Sequence, residues 1–285
     1  MIAFSDLTCA RRLVVSMVLA ASILTVSPSG YVYATGLPAT GTWLREAPYP
    51  YSVRAEPRMS GKHIRSESTE YSFEWRRDGW DGRRATKGAE IKTRPMPWMT
   101  EQWLSFEFFA PRSSFEDDSK FTIIMQYHSV PDVDLGEKWR NPVSSLVVRN
   151  GLLQYDFRSS AERVTPEDSS GFLYTSRGTL RLGSVRFDSW NRVVMYQRFD
   201  PRAGKIRIWI NGVLHERENA GIGFNDRHGR FLKLGLYVPQ GSDLERKQIR
   251  FRNVLICPAA RGDDISACGN GFDEVVRSAS KAIHD

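Results

Sequence analysis

The segment GRFLKLGLYVPQG, residues 229–241, combines an apolar face with groups that can take part in chemistry. Leucines occupy every second position, and side chains on a strand alternate between its two faces. Lys233, Gly235 and Tyr237 therefore share the face opposite the leucines. A glycine between two polar side chains leaves room for a ligand to lie across the sheet. This pattern predicts a polar groove on one face of the strand.

A second segment, FTIIMQYH at residues 121–128, has the same alternating character. The period of two assigns Ile124, Gln126 and His128 to one face. Gln126 and His128 then project together, about 6.6 Å apart along the strand. An amide and an imidazole on one face form a second candidate for the same groove.

Together these side chains have the properties that proton transfer needs. An imidazole titrates near neutral pH and can act as a general base, and a phenol, with a reference pKa of about 10, can act as an acid. Each residue taken alone has a plainer interpretation. The histidine can be a surface residue, the lysine solvated, the tyrosine a rim aromatic and the glycine a bulge. Only the combination of the four favours a functional site.

The combination resembles motifs of jelly-roll polysaccharide lyases. These enzymes carry a Gln-x-His strand motif and a later Tyr-Phe-Lys-x-Gly-x-Tyr-x-Gln strand. The first appears here as Gln126-Tyr127-His128, and the second as the stretch from Phe231 to Gln240. The resemblance extends from about Glu56 to about Phe251 and is closest to the glucuronan and heparin lyase group.

The chain departs from the alginate lyase pattern at an Arg-x-Glu element. In GRRATKGAEIK, residues 82–92, Glu90 matches but Gly88 stands where the arginine is expected. A nearby cation, such as Arg83, Arg84 or Lys87, could substitute. Arg65-Ser66-Glu67 is a literal match on what is expected to be a neighbouring strand.

The resemblance implies cleavage of a uronic-acid-containing polymer by β-elimination. His128 would remove the C5 proton, Tyr237 would protonate the departing O4, and Gln126 would neutralise the carboxylate together with a cation, Arg84 or Lys233 in the first instance. Tyr237 doing both proton transfers with help from His128 is the open alternative. Further residues are expected to bind the substrate: Lys233, Arg84, Lys87, Arg65, Gln240 and Trp209.

Two other functions are compatible with the sequence. A lectin-like sandwich that binds acidic glycans without cleaving them would share the fold and the basic charge. A glycoside hydrolase would need two carboxylates facing one groove. Glu107 lies in a suitable strand pattern but lacks an obvious partner in sequence.

The elements that must position these residues are short alternating segments separated by turns such as RDGWDG, DPRAG and ING. They predict an all-β protein, a concanavalin-like β-jelly-roll sandwich. The predicted organisation is a signal peptide at 1–34, an N-terminal arm or linker at 35–60, a β-jelly-roll lyase domain at 61–260, and a C-terminal extension with a short helix at 261–285.

The N-terminus predicts export. Arg11 and Arg12 precede an apolar run, and Val32-Tyr33-Ala34 offers a cleavage site. In an oxidising compartment Cys257 and Cys268 would form a structural disulfide. We expect a secreted or periplasmic monomer without stable membrane association.

Composition sets the expected partners. The formal net charge of +7 suits an acidic polysaccharide, and we find no motif for nucleic acid. No cofactor is required by the expected reaction. Two acidic pairs are candidates for a loop-stabilising calcium ion, Asp117-Asp118 and Asp263-Asp264.

Overall fold

Alternating apolar residues produce strands along almost the whole described chain. A computed structural model describes residues 43–45, 53–56, 70–77, 87–93, 95 and 101–258, all within the unit Tyr33–Asp285. The strands are β1 (Trp43–Arg45), β2 (Val53–Glu56), β3 (Glu70–Arg76), β4 (Lys87–Thr93), β5 (Glu101–Phe109), β6 (Thr122–Ser129), β7 (Ser144–Arg149), β8 (Leu152–Ser160), β9 (Glu167–Asp168), β10 (Gly171–Phe172), β11 (Ser176–Ser184), β12 (Trp190–Arg198), β13 (Lys205–Ile210), β14 (Val213–Arg217), β15 (Gly223–Phe224), β16 (Arg230–Val238) and β17 (Arg246–Pro258). Two 3₁₀ turns, Arg112–Ser114 and Val133–Leu135, complete the regular structure of these residues.

The strands form two large sheets. An eight-stranded sheet has the order β1-β4-β16-β6-β7-β8-β11, with β15 beside β8, and a seven-stranded sheet has the order β14-β13-β12-β5-β17-β3-β2. Almost all pairs are antiparallel, the exception being β15 with β8. The all-β jelly-roll sandwich predicted from the sequence is confirmed.

The core lies between the two sheets and is formed by side chains from one face of each strand. The three alternating leucines of β16, Leu232, Leu234 and Leu236, are at most 1% exposed, as the sequence predicts. Burial of a side chain of this size stabilises the fold by about 1.5–3 kcal/mol. The opposite face of β16 is therefore turned away from the core.

A β-bulge in β6 changes one prediction. Ile123 pairs with Val147 and Met125 with Leu146, so Ile124 is an extra residue on this strand. Ile124 joins the core, and its predicted place beside Gln126 and His128 is wrong. The sequence period fails here because a bulge shifts the alternation by one residue. Gln126 and His128 lie beyond the bulge and still share a face.

Gly235 is required by the neighbouring strand. Its φ of +140° is rare for other residues, and a Cβ built there would lie 2.1 Å from the carbonyl oxygen of Ala89 in β4. The pairing of β16 with β6 also shifts register between Leu234 and Tyr237. The glycine thus permits close approach of two backbones at an irregular point of the sheet.

Gly235→Ala is expected to destabilise the protein by about 3 kcal/mol or more, because backbone strain and overpacking each cost about 1–3 kcal/mol. Urea unfolding measures this change. Gly241→Ala is the matched control, since Gly241 also has a positive φ, +78°, but has open space around the position of the added Cβ. Equal losses for the two variants would contradict the importance of the Ala89 contact.

The segment 35–60 contributes regular structure rather than only an irregular arm. β1 pairs with β4, and β2 pairs with β3, so each large sheet gains a strand from it. The signal peptide, the C-terminal helix and Cys268 lie outside the described residues, and the Cys257–Cys268 disulfide stays a prediction. Among the described residues no helix is long and apolar enough to span a membrane.

Candidate functional site

We use the term site face for the side of the eight-stranded sheet that points away from the core and carries Glu90, Gln126, His128, Lys233 and Tyr237. Strand pairing brings these residues together. β16 lies between β4 and β6, with Lys233 opposite Gln126 on one side and opposite Lys92 on the other. Three distant parts of the chain therefore supply one surface.

Glu90 joins Gln126 and Lys233 at the centre of the site face. Gln126 Nε2 donates a hydrogen bond to Glu90 Oε1 at 2.6 Å, and Lys233 Nζ lies 2.9 Å from Glu90 Oε2. Residue exposure is 1% for Gln126, 2% for Glu90 and 5% for Lys233. Lys233, predicted from sequence to border a groove, is thus buried beside Glu90, because a buried ammonium needs a carboxylate partner. We call the cluster of Glu90, Gln126 and Lys233 the floor of the site face.

Tyr237 lies beside this floor and is half-buried. Lys233 Nζ is 5.7 Å from the centroid of the Tyr237 ring, a cation–π distance. The ring also covers Gly88, where an added Cβ would meet Tyr237 Cδ2 at 3.2 Å. The position at which the alginate lyase motif has arginine is therefore overlain by the aromatic ring in this chain.

His128 lies at the other side of the floor and is also half-buried. Its ring stacks on Phe231 at a centroid distance of 5.8 Å and an angle of 14°. Lys92 Nζ approaches the same Phe231 ring at 5.4 Å. Phe231 and Tyr237 are separated by at most about 20 Å of extended strand. Lys233 lies between Phe231 and Tyr237 on the same face of β16.

Arginines extend the site face across β8 and β11. Arg158 alternates with the core residue Phe157 and pairs with Arg177, and Arg181 follows on β11. The hydrogen bond from Thr179 Oγ1 to Asp156 Oδ1, 2.7 Å long, joins the same faces of these strands. Arg177 and Arg181 are exposed. The surface beside His128 and Gln126 is thus suited to an anionic polymer.

Some predicted substrate-binding residues do not join this group. Trp209 belongs to the other sheet, where it stacks on Trp103 at 5.8 Å. Gln240 is exposed in the turn that follows β16, and Lys87 begins β4 opposite Val238. Arg84 and Arg65 lie outside the described residues. Trp209 is therefore absent from the proposed site. The alternation along a strand predicts which face a side chain occupies, but not which sheet the strand joins.

Glu107, the carboxylate considered for a hydrolase, also lies on the seven-stranded sheet. There it accepts a hydrogen bond from Arg252 Nε at 2.6 Å. The ion pair and the position on the other sheet separate Glu107 from the site face.

Asp118, one of the acidic residues considered for calcium from the sequence, forms a buried ion pair. Lys247 Nζ contacts its carboxylate, both side chains are 1% exposed, and Ser242 Oγ donates to Asp118 Oδ2 at 2.6 Å. Burial alone would raise the pKa of Asp118, but the contacts with Lys247 and Ser242 and a backbone N–H outweigh it and hold the pKa below its usual value. In the described part of the chain no three His, Cys, Asp or Glu residues cluster as metal ligands, and Asp263-Asp264 lies outside that part.

Sequence reasoning missed two residues at this end of the site face, Lys92 near Phe231 and Trp139 near His128. Lys92 follows Glu90 by two positions on β4, so the period of two could have found it. Trp139 lies in the loop after β6, is 59% exposed, and has its ring centroid 5.7 Å from that of His128. A loop has no repeating pattern, so no sequence signal points to the tryptophan.

Comparison with solved structures finds lyases that are similar to this chain. An endo-β-1,4-glucuronan lyase from the fungus Trichoderma reesei superposes with a TM-score of 0.60 at 16% identity, covering 80% of this chain and 95% of that one. An alginate lyase of polysaccharide lyase family 7 gives 0.47 at 12% identity, covering 75% and 93%. An alginate lyase from Pseudomonas aeruginosa gives 0.43 at 18% identity, covering 65% and 81%. No curated protein sequence matches the chain.

The sequence itself carries the family assignment. A family model described as polysaccharide lyase matches residues 39–255, which is most of the chain and includes every strand of the site face. With the jelly-roll sandwich and the polar floor of the site face, the conclusion is that this chain belongs to the polysaccharide lyase family.

Proposed function

We propose that this lyase cleaves a uronic-acid-containing polysaccharide by β-elimination, with glucuronan as the first substrate to test. The observation that supports the proposal is the joining of Gln126, Glu90, Lys233 and Tyr237 on the face that also carries His128. These groups are the base, acid and carboxylate-binding residues that elimination needs.

Carboxylate neutralisation is the first requirement, because removal of the C5 proton sends charge into the sugar carboxylate. Gln126 has two amide hydrogens, and one is donated to Glu90. The nitrogen must face that carboxylate, since two oxygens would repel, and the second N–H would be donated to the substrate. Lys92 and Lys233 lie opposite each other on neighbouring strands and would supply positive charge. Gln126 with these cations would stabilise the charge that develops in the transition state.

Proton transfer is the second requirement. His128 would remove the C5 proton, and the Tyr237 hydroxyl would donate a proton to O4 as the glycosidic bond breaks. The electron pair of the C5–H bond becomes the C4–C5 double bond. The electron pair of the C4–O4 bond leaves on O4 with the departing sugar. If C5–H faces Tyr237, the phenol would serve as base and acid and His128 would assist.

The charge distribution supports an acidic polymer. Arg158, Arg177 and Arg181 lie on the site face, and the whole chain has a formal net charge of +7. We choose glucuronan first because the glucuronan lyase has the same fold over 95% of its length. The proposed enzyme acts outside the cytoplasm as a monomer, in the periplasm or the medium, and needs no cofactor for the elimination.

A panel of glucuronan, alginate and heparin tests the substrate. The elimination product has an unsaturated uronate that absorbs in the ultraviolet, so absorbance should rise with the true substrate. Binding by calorimetry without an increase in absorbance would support a lectin-like protein instead. A new reducing end without the ultraviolet chromophore would indicate hydrolysis and overturn the proposal.

A further inference from the structure

We propose that Trp139 is a substrate-binding residue that stacks on the sugar ring next to the one on which His128 acts. This inference rests on the proposed function of the site face. Trp139 is 59% exposed, an unusual state for a large aromatic side chain, and its ring meets that of His128 at 5.7 Å and 62°. The tilt leaves much of the indole surface in solvent beside the proposed base.

A buried ionic network holds the loop that carries Trp139. Arg140, the next residue, contacts Glu137 Oε1 at 2.5 Å and Asp226 Oδ2 at 2.6 Å, and its Nη1 also donates to Thr165 Oγ1 at 2.6 Å. The side chains of Arg140, Glu137 and Asp226 are at most 2% exposed. Charged groups this deeply buried require well-defined geometry. The residues on both sides of Trp139 are therefore anchored.

The beginning of the same loop has a second anchor. Asp132, whose side chain is 0% exposed, accepts from Arg227 Nε at 3.3 Å and lies 3.1 Å from Arg163 Nη2. The backbone N–H of Asp132 donates to Glu137 Oε2 at 3.0 Å, which links the two anchors. Exposed loops are usually mobile, but this loop is attached to two other segments by buried charges. Trp139 is thus an exposed aromatic on a rigid support.

A rigid, exposed indole fits one face of a pyranose ring. The C–H groups of a sugar ring form an apolar face that packs on aromatic rings, while its hydroxyl and carboxylate groups point outwards. A fixed aromatic surface loses little conformational entropy on binding. Val133 and Leu135 on the same loop are also exposed, at 66% and 45%. The geometry therefore indicates that this loop binds the neighbouring sugar ring, next to the floor of the site face, where carboxylates would bind.

Kinetics of Trp139→Ala, Trp139→Phe and wild-type enzyme on the polymer test the role. We expect Trp139→Ala to raise KM about tenfold with kcat changed by less than about threefold, and Trp139→Phe to recover most of the loss. Trp209→Ala is the matched control, because Trp209 is a half-buried tryptophan of the other sheet, and it should leave both constants unchanged. An unchanged KM, or a fall in kcat alone, for Trp139→Ala would overturn the proposal.

Calorimetry with a short oligouronate separates this inference from the proposed reaction. The measurement uses His128→Ala and the double variant His128→Ala/Trp139→Ala, both of which should turn the ligand over at least about a hundredfold more slowly than wild type. About tenfold weaker binding by the double variant supports stacking, and equal binding overturns it. A wild-type protein that binds the oligouronate but does not cleave it would reject elimination while this comparison still decides the role of Trp139.

Discussion

Tyr237→Phe and His128→Ala should each lower kcat by a factor on the order of 10²–10⁴, the usual contribution of a positioned acid or base. Phenylalanine keeps the ring that packs over Gly88 and Lys233 and removes only the hydroxyl. Alanine at position 128 removes the imidazole, and the Phe231 ring remains. The rate of ultraviolet absorbance increase at saturating substrate measures the effect.

Controls on the other sheet separate a catalytic loss from a general one. Tyr196→Phe removes a hydroxyl that donates to Glu101 Oε2 at 3.0 Å, and His215→Ala alters an edge strand; neither residue belongs to the site face. Both should keep the wild-type rate. A folded Tyr237→Phe or His128→Ala protein with a near-normal kcat would refute the assigned role, and the relative sizes of the two losses would show which group carries more of the proton transfer.

Glu90→Gln is expected to damage both stability and turnover. The substitution is nearly isosteric, but it leaves the ammonium of Lys233 without its carboxylate at a site where the lysine side chain is 7% exposed. Removing one partner of a buried ion pair costs about 3–5 kcal/mol. Gln126 would also lose its charged acceptor, so we expect kcat to fall at least about tenfold. Urea unfolding and steady-state kinetics measure the two effects.

A double variant distinguishes positioning from mere stability. Glu90→Gln/Lys233→Met removes both charges, and replacing a buried pair by groups of similar volume is often neutral. We expect the double variant to regain most of the free energy of unfolding without regaining activity, because the cation of the floor is gone. Recovery of both properties would mean that Glu90 and Lys233 serve the fold alone.

The sequence was most informative where strands are regular. The alternation in FLKLGLYV correctly predicts that Leu232, Leu234 and Leu236 enter the core. It also places Lys233 and Tyr237 on one face, and the approach of Lys233 Nζ to the Tyr237 ring agrees with this prediction. Period two is a property of an extended backbone, so it can be read from the sequence without knowledge of the strand's neighbours.

Other features depended on partners that a sequence pattern does not contain. The extra residue Ile124 moved into the core because its strand bulges against β7. Lys233 became buried because Glu90, from a strand far away in sequence, lies beside it. The need for Gly235 comes from the backbone of Ala89. The alternation around Trp209 was interpreted correctly, but the strand that carries Trp209 pairs with β12 and β14 and so belongs to the other sheet.

The order of strands in the eight-stranded sheet has a kinetic consequence. β4 at 87–93 pairs with β16 at 230–238, and β16 pairs in turn with β6 at 122–129. Contacts that close such long loops form slowly, because much of the chain must be ordered before they are made. A nascent chain that has not yet delivered β16 lacks the strand that lies between Glu90 and Gln126. The proposed site therefore assembles late in folding, after most of the polypeptide has been synthesised.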